Sequence, residues 1–164
     1  MDNNTTLLIV LLVIISIACP IIMLIKNSIT KSYINETIDE LANNTLEITP
    51  EEFMKLRSTK LSSSRYEGYY ALKKNFAGIY ILHNKTKDKY YVGQSKTVLN
   101  RVNNHFTGKG NGDVYFDYRL GDQFTIKMIS LENSGFPDLD SLERNAIARY
   151  DAFNKGYNKT RGNN

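Results

Sequence analysis

The stretch AGIYILHNKTKDKYYVGQS at residues 77–95 predicts how the second half of this 164-residue chain folds. It contains two runs rich in β-branched and aromatic residues, GIYILH and KYYVGQ, with the polar segment NKTKD between them. Such runs on either side of turn-forming residues predict a β-hairpin. The hairpin can serve packing alone, or it can place Tyr80 and Tyr91 on neighbouring strands as functional residues.

The segments after the hairpin predict a small α+β domain. A helix capped by Thr97 is expected over residues 97–106, because apolar residues recur there at helical spacing. The segment QFTIKMISL predicts a third strand, and residues 139–153 predict another helix. The order strand, strand, helix, loop, strand, helix is typical of three strands with helices packed on them.

An uncharged run of 19 residues, LLIVLLVIISIACPIIMLI, occupies positions 7–25. A helix needs about 20 apolar residues to cross a bilayer, so this run predicts one transmembrane helix within residues 1–26 and a lipid bilayer as a partner. Lys26 and Lys31 follow the run and only Asp2 precedes it. By the positive-inside rule, the C-terminal bulk of a single-pass membrane protein is then expected in the cytoplasm.

A cleaved signal peptide is the alternative for the same run. Ser16 and Ala18 have the spacing of a cleavage site, but MDNN at the start carries no lysine or arginine. The apolar run also continues past that site. An uncleaved anchor is therefore the favoured interpretation.

Residues 27–75 are expected to form a polar, partly helical linker, or stalk, before a domain at residues 76–164. The segment TPEEFMKL predicts the start of a helix in this linker. Thr49 stands at its N-cap, Pro50 at its first position and Glu52 at its third, which is the pattern of a capping box.

The composition narrows the chemistry that the chain can perform. A single cysteine, Cys19, excludes an internal disulfide framework and a cysteine-rich metal site. Two histidines argue against a zinc cluster. Carboxylates, tyrosines, arginines or one histidine remain as reactive groups. The net charge of +4 fits a phosphate-bearing partner without requiring one.

Short motifs follow one another in a fixed order along the second half of the chain. They are Gly78-Ile79-Tyr80, Tyr91-Val92-Gly93, Arg101 with His105, Glu143, and Gly156-Tyr157-Asn158. With this set, residues 76–161 resemble the GIY-YIG endonuclease family, with Val92 in place of the usual isoleucine. The resemblance implies a three-stranded antiparallel sheet flanked by helices, and hydrolysis of DNA phosphodiester bonds with one divalent metal ion, Mg²⁺, for which Mn²⁺ can substitute.

The same resemblance implies roles for particular side chains. Glu143 is expected to bind the metal ion, and either motif tyrosine can be the general base. The full set of expected catalytic residues is Tyr80, Tyr91, Arg101, His105, Glu143 and Asn158.

Simple physical arguments accompany these roles. Arg101 and His105 are four residues apart on one helix and are expected to point together into a cleft. The planar guanidinium suits phosphate oxygens, and a histidine can relay a proton near neutral pH. Without the other motifs, Arg101 is more typical of a surface arginine paired with a carboxylate, and His105 is more typical of a partly buried helix histidine. Tyr90 is expected on the opposite face of the strand.

DNA is the expected substrate. Lys89, Lys96 and Lys109 are expected to contact its backbone, although each can also be ordinary solvated surface. The sequence therefore predicts a membrane-anchored, metal-dependent DNA endonuclease. The alternative is a catalytically inactive, membrane-tethered DNA-binding module of the same fold.

Overall fold

The computed structural model describes residues 3–63, 66–132 and 134–163, with side chains from residue 16 onward except at 61–69 and 72–73. The chain divides into two compact units, Met1–Thr37 and Ile38–Asn164. The elements are α1 Asn3–Asn43, α2 Pro50–Arg57, β1 Lys60–Ser63, β2 Tyr66–Tyr69, α3 Tyr70–Lys73, β3 Gly78–Asn84, β4 Lys89–Ser95, α4 Val98–Phe106, α5 Gly112–Arg119, β5 Phe124–Ser130 and α6 Leu139–Arg149.

An antiparallel sheet with the order β4-β3-β5 forms the centre of the second unit. Helices flank it, so the predicted α+β architecture with a three-stranded antiparallel sheet is confirmed. The register pairs Tyr80 with Gly93 and Leu82 with Tyr91. Tyr80 and Tyr91 therefore lie on the same face of the sheet, in diagonal rather than directly opposite positions. Strands β1 and β2 pair separately as a two-stranded antiparallel sheet.

Alternation along β3 creates two hydrophobic cores, one on each face of the sheet. Tyr80 and Leu82 face a core that includes Val98 and Val102 of α4. Ile79 and the other alternate residues face a second core. The second core is closed by α6 and by the last turns of α1, through Ile38, Ala42, Leu142, Ala146 and Ile147.

Both outer edges of the sheet are occupied by segments outside it. Along β5, Ile48 exchanges two main-chain hydrogen bonds with Ile126, at 3.1 and 2.8 Å. Along β4, the Tyr157 N–H donates to the Tyr90 carbonyl oxygen at 2.8 Å. Gly156 permits this approach, because an added Cβ would collide with the same carbonyl oxygen. Each outer strand is therefore hydrogen-bonded on its outer side, β5 at Ile126 and β4 at Tyr90.

Residues from the expected linker belong to this compact unit. Ile38, Ala42, Ile48 and Phe53 are buried, so the unit begins at Ile38 and not at residue 76. The apolar sides of α1 and α2 face the two cores, and Ile48 lies in the segment that connects these helices.

The capping box at the start of α2 forms as the sequence indicated. The Glu52 N–H donates to Thr49 Oγ1 at 3.2 Å, and the Thr49 N–H donates to Glu52 Oε2 at 2.8 Å. The cap of α4 differs, since the Thr97 side chain makes no capping hydrogen bond.

Two helices depart from the sequence prediction. Helix α5 was not expected, because glycines precede it; Asn111 caps it by accepting a hydrogen bond from the Val114 N–H at 3.0 Å. Helix α6 ends at Arg149 and not at residue 153. Asp151 has a φ of 48°, in the left-handed region that a right-handed helix cannot contain.

The predicted single-pass membrane localisation is contradicted. Among the described residues, no helix is both long enough and apolar enough to cross a membrane. The side chains of residues 7–15 lie outside the described residues. A lipid bilayer is thus unsupported as a partner.

Replacing Thr49 by alanine tests the capping box. Thr49→Ala should lower the free energy of unfolding by about 1 kcal/mol, because the Glu52 N–H at the start of α2 loses its side-chain acceptor. Urea denaturation of the full chain measures this. Thr97→Ala is the matched control and should change the free energy by much less. Equal losses in the two variants would show that the capping box does not stabilise the fold.

Candidate active site

Three aromatic side chains meet on the face of the sheet that α4 covers. The ring centroids of Tyr80 and Tyr91 are 6.1 Å apart, and those of His105 are 5.3 and 4.8 Å from them. Tyr80 is 1% exposed and His105 is 0% exposed, whereas Tyr91 is only half-buried. The structure thus brings both motif tyrosines together with the helix histidine.

Gly93 makes room for the Tyr80 hydroxyl. It lies directly opposite Tyr80 in the register of β3 and β4. A Cβ added at position 93 would overlap the Tyr80 hydroxyl oxygen, so an alanine would collide with the ring. The glycine of the second motif is therefore required by the tyrosine of the first.

The main chain fixes the protonation pattern of His105. The Asn111 N–H donates to Nδ1 of His105 at 3.0 Å, so Nδ1 carries no proton. In a neutral ring the proton then sits on Nε2, which lies 3.0 Å from Tyr80 Oη. His105 therefore donates to Tyr80 and cannot accept the Tyr80 proton in this arrangement.

Burial keeps the aromatic cluster uncharged near neutral pH. It lowers the pKa of His105 to about 4, and the positive charge of Arg101 adds to this effect. It also raises the pKa of both tyrosines, although Arg101 acts in the opposite direction on each. The sequence had suggested a histidine that relays protons in an open cleft. The structure instead gives a buried, neutral histidine beneath Tyr80.

Arg101 lies at the solvent-exposed side of the same cluster. It precedes His105 by one helical turn on α4, and its guanidinium interacts with the hydroxyls of both Tyr80 and Tyr91. An exposed guanidinium beside two hydroxyl groups forms a set of donors that an anionic group can reach.

Glu143 approaches the cluster from the other side of the edge strand. Gln94 of β4 points toward α6, where its Nε2 donates to Glu143 Oε2 at 3.0 Å and to Asp140 Oδ1 at 2.5 Å. Burial raises the pKa of Glu143; Gln94 opposes this shift, and Asp140 adds to it. The Glu143 charge in turn helps to raise the pKa of Tyr91, so the carboxylate lies within electrostatic reach of that hydroxyl.

The side chains around Glu143 could supply some, but not all, of the ligands of a hard divalent cation. Among the described residues, no group of three or more His, Cys, Asp or Glu side chains could hold a metal ion. A partly buried carboxylate close to a second one is, however, a favourable place for positive charge. Mg²⁺ commonly takes one or two protein carboxylates and completes its shell with water and phosphate oxygens. The residues present are compatible with that mode.

Asn158 has both of its side-chain polar atoms engaged with the main chain of β4. Its Nδ2 donates to the Val92 carbonyl oxygen at 2.8 Å, and its Oδ1 accepts from the Val92 N–H at 2.9 Å. Val92 stands between Tyr91 and Gly93. The geometry therefore gives Asn158 a positioning contact with the second motif, and its side chain does not join the aromatic cluster.

A buried polar network, which the sequence did not reveal, anchors the last motif. The Tyr157 hydroxyl donates to Asp117 Oδ2 and accepts from Asn84 Nδ2, both at 2.7 Å. Lys87 forms ion pairs with Asp117 at 2.7 Å and with Asp122 at 3.1 Å. The one local signal was Asn84 at the end of an apolar strand. Its Nδ2 donates to Asp122 and to Tyr157, which are 38 and 73 positions away in sequence.

The lysines expected at a DNA surface lie on the outside of the folded chain. Lys89, Lys96 and Lys109 are all exposed. The Lys89 ammonium lies 5.9 Å from the centroid of the Tyr157 ring, at a distance suited to a cation–π contact.

Replacing Gly93 by alanine tests the fit between the two motifs. Gly93→Ala should lower the free energy of unfolding by roughly 1–3 kcal/mol, because the new methyl group displaces the buried Tyr80 ring. Gly112→Ala is the control, since an added Cβ there meets no atom within 4 Å. Denaturation of both variants gives the comparison. An unchanged midpoint for Gly93→Ala would contradict the packing described.

The depressed pKa of His105 predicts a loss of stability in acid. As the pH falls below 6.5, the ordinary pKa of histidine, the unfolded chain binds a proton that the folded chain does not bind until about pH 4. Stability should therefore fall across this window by about 3 kcal/mol more in the wild-type chain than in His105→Gln. Urea midpoints at pH 7 and pH 4 measure the difference. Parallel losses in the two chains would show that His105 is not buried in its neutral form.

Comparison with protein families gives one match. The model of the GIY-YIG catalytic domain matches residues 76–158, about half of the chain. The matched segment begins just before β3 and ends at Asn158, so it contains every residue of the aromatic cluster. Comparisons with curated proteins and with solved structures gave no match.

Proposed function

Because this chain belongs to the GIY-YIG family, whose members are endonucleases, we propose that it hydrolyses DNA phosphodiester bonds with the help of a divalent metal ion. The observation that carries the proposal is the position of the half-buried Tyr91 hydroxyl. An exposed guanidinium, Arg101, lies beside it, and the carboxylate of Glu143 lies within electrostatic reach. Cleavage of a phosphodiester requires these two kinds of group, one to hold the anion and one to attract a cation.

Arg101 would bind the phosphate group that is cleaved. Negative charge grows on the non-bridging oxygens in the transition state, and a positioned guanidinium can stabilise that charge with two parallel hydrogen bonds. The exposure of Arg101 makes it reachable by a DNA strand, unlike Tyr80 or His105.

Glu143 would hold the metal ion, with water and phosphate oxygens as the other ligands. When bound, Mg²⁺ or Mn²⁺ would supply positive charge that stabilises the phosphoryl oxygens. Gln94 keeps the Glu143 carboxylate oriented through the hydrogen bond of 3.0 Å. Burial is the main cause of the raised pKa of Glu143, so a metal ion would bind this carboxylate in competition with a proton.

The other site residues would support this chemistry indirectly or at a distance. Asn158 would keep β4 in place through its two hydrogen bonds to Val92. Lys89, Lys96 and Lys109 would contact phosphates along the bound strand. Such contacts carry no sequence information and weaken with salt, so cleavage should slow as the ionic strength rises.

Cleavage of supercoiled plasmid by the purified full-length chain tests the proposal. We expect nicked or linear product with Mg²⁺ and none with a chelator. Glu143→Gln should reduce the rate about 100-fold or more, because the charge that attracts the metal ion is lost. Glu132→Gln removes the same charge from an exposed position and should leave the rate unchanged. Tyr90→Phe, on the opposite face of the sheet, should also leave it unchanged.

Two outcomes would contradict the proposal in different ways. A folded wild-type chain that binds DNA but never cleaves it, over several metals and DNA forms, would favour a catalytically inactive DNA-binding module. Cleavage that survives Glu143→Gln would keep the endonuclease but remove Glu143 from the metal site.

A further inference from the structure

The glycine-rich segment between α4 and α5, residues 107–111, lies against the buried ring of His105. At Gly110 the fit leaves no room for a side chain, because an added Cβ would lie 2.7 Å from His105 Nδ1 and 2.8 Å from the main-chain Cα of His105. The φ of Gly110 lies outside the left-handed region, so the space beside His105 requires this glycine and the backbone conformation does not. Gly112, two residues later, has open space where its Cβ would be.

Asn111 holds this segment in place with three hydrogen bonds. Its N–H donates to His105 Nδ1 at 3.0 Å. Its side-chain oxygen accepts from the Val114 N–H at 3.0 Å, and its side-chain nitrogen donates to the Tyr157 carbonyl oxygen at 3.3 Å. One residue therefore connects the histidine of α4, the first turn of α5 and the last sequence motif.

The contact at Nδ1 allows only one tautomer of the neutral His105 ring. A proton on Nδ1 would face the Asn111 N–H, so two donors would meet with no acceptor between them. The ring is 0% exposed, and a buried polar group without a partner is costly. The proton therefore stays on Nε2, 3.0 Å from Tyr80 Oη, and the ring cannot turn over without losing both contacts.

We infer that Asn111 is a positioning residue of the endonuclease site that acts through the tautomer of His105, and that Gly110 is required to bring the Asn111 N–H to the ring. This inference rests on the proposed endonuclease function. It adds to the site two residues that belong to none of the sequence motifs. With His105 in the other tautomer, Nε2 would carry no proton, and the hydrogen bond that orients the Tyr80 hydroxyl would reverse its direction.

Proline and alanine at position 111 separate the main-chain contact from the side-chain contacts. Both substitutions remove the Asn111 side chain, but only Asn111→Pro also removes the N–H. The φ of Asn111 is −73°, which proline adopts without strain. In the full-length chain, Asn111→Pro should lower kcat for plasmid cleavage about tenfold below the value for Asn111→Ala and leave KM unchanged, because the buried Nδ1 loses its donor.

The tautomer of His105 can be measured by ¹⁵N NMR of the imidazole nitrogens, which needs neither DNA nor a metal ion. The chain has two histidines, and His105→Gln assigns their signals. The wild-type chain and Asn111→Ala should both show an unprotonated Nδ1 and a protonated Nε2 at pH 7. In Asn111→Pro the two His105 signals should move toward each other, as both tautomers become populated. The signals of His83, whose Nε2 pairs with Asp88 at 2.9 Å, should stay in place and serve as the control.

Gly110→Ala reaches the same contact by a different route, and it decides the matter if the proline variant does not fold. The new methyl group must displace the segment from His105, so it should lower kcat about tenfold and move the His105 nitrogen signals. Gly112→Ala is the matched control, since its added Cβ meets no atom within 4 Å, and it should change neither quantity.

The possible failures can be told apart. A wild-type ring with its proton on Nδ1, or unchanged His105 signals in both Asn111→Pro and Gly110→Ala, would overturn the inference. If the wild-type chain cleaves DNA and the signals move while kcat does not fall relative to the matched controls, the positioning role is overturned and the proposed function stands. If the wild-type chain does not cleave DNA at all, the proposed function fails, and the positioning role fails with it.

Discussion

One hydrogen bond between two buried polar groups, Tyr80 Oη and His105 Nε2, is the contact on which the site depends. Both groups have lost water, and an unpaired partner would cost about 1–3 kcal/mol. The buried Tyr80 side chain also constrains the hairpin register, because only a glycine fits opposite it on β4. The hydrogen bond itself fixes the rotation of α4, since His105 must face the sheet. Arg101, one turn earlier on that helix, is thereby carried to the exposed side of the tyrosines.

Features that depend on neighbouring residues could be predicted from the sequence. The hairpin follows from two apolar runs around a polar turn, and the capping box of α2 follows from Thr49, Pro50 and Glu52 alone. The motif tyrosines, Arg101 and His105 do converge, because hairpin register and helical spacing are local properties. The placement of Tyr90 on the opposite face follows from strand alternation for the same reason.

Features that depend on distant segments could not be predicted. The protonation pattern of His105 is set by the main chain of Asn111, and no side-chain pattern encodes that contact. Hydropathy alone misjudged the N-terminal helix, because an uncharged run does not establish a membrane span. Helix α5 is different, because its cap at Asn111 is local; it was missed because the glycine-rich segment before it is typical of a loop. Asn158 resembled a reactive residue, yet both of its polar atoms bind Val92.

The pairing of Asn158 with Val92 also determines when the site can form during synthesis of the chain. These residues are 66 positions apart, so β4 lacks this partner until Asn158 has been made. On the ribosome, the hairpin and α4 emerge long before Asn158 does. The tyrosine that borders Val92 is held in place only after synthesis has passed the last motif. A chain that is truncated before Asn158, or still growing toward it, would therefore carry the other motif residues without a finished site.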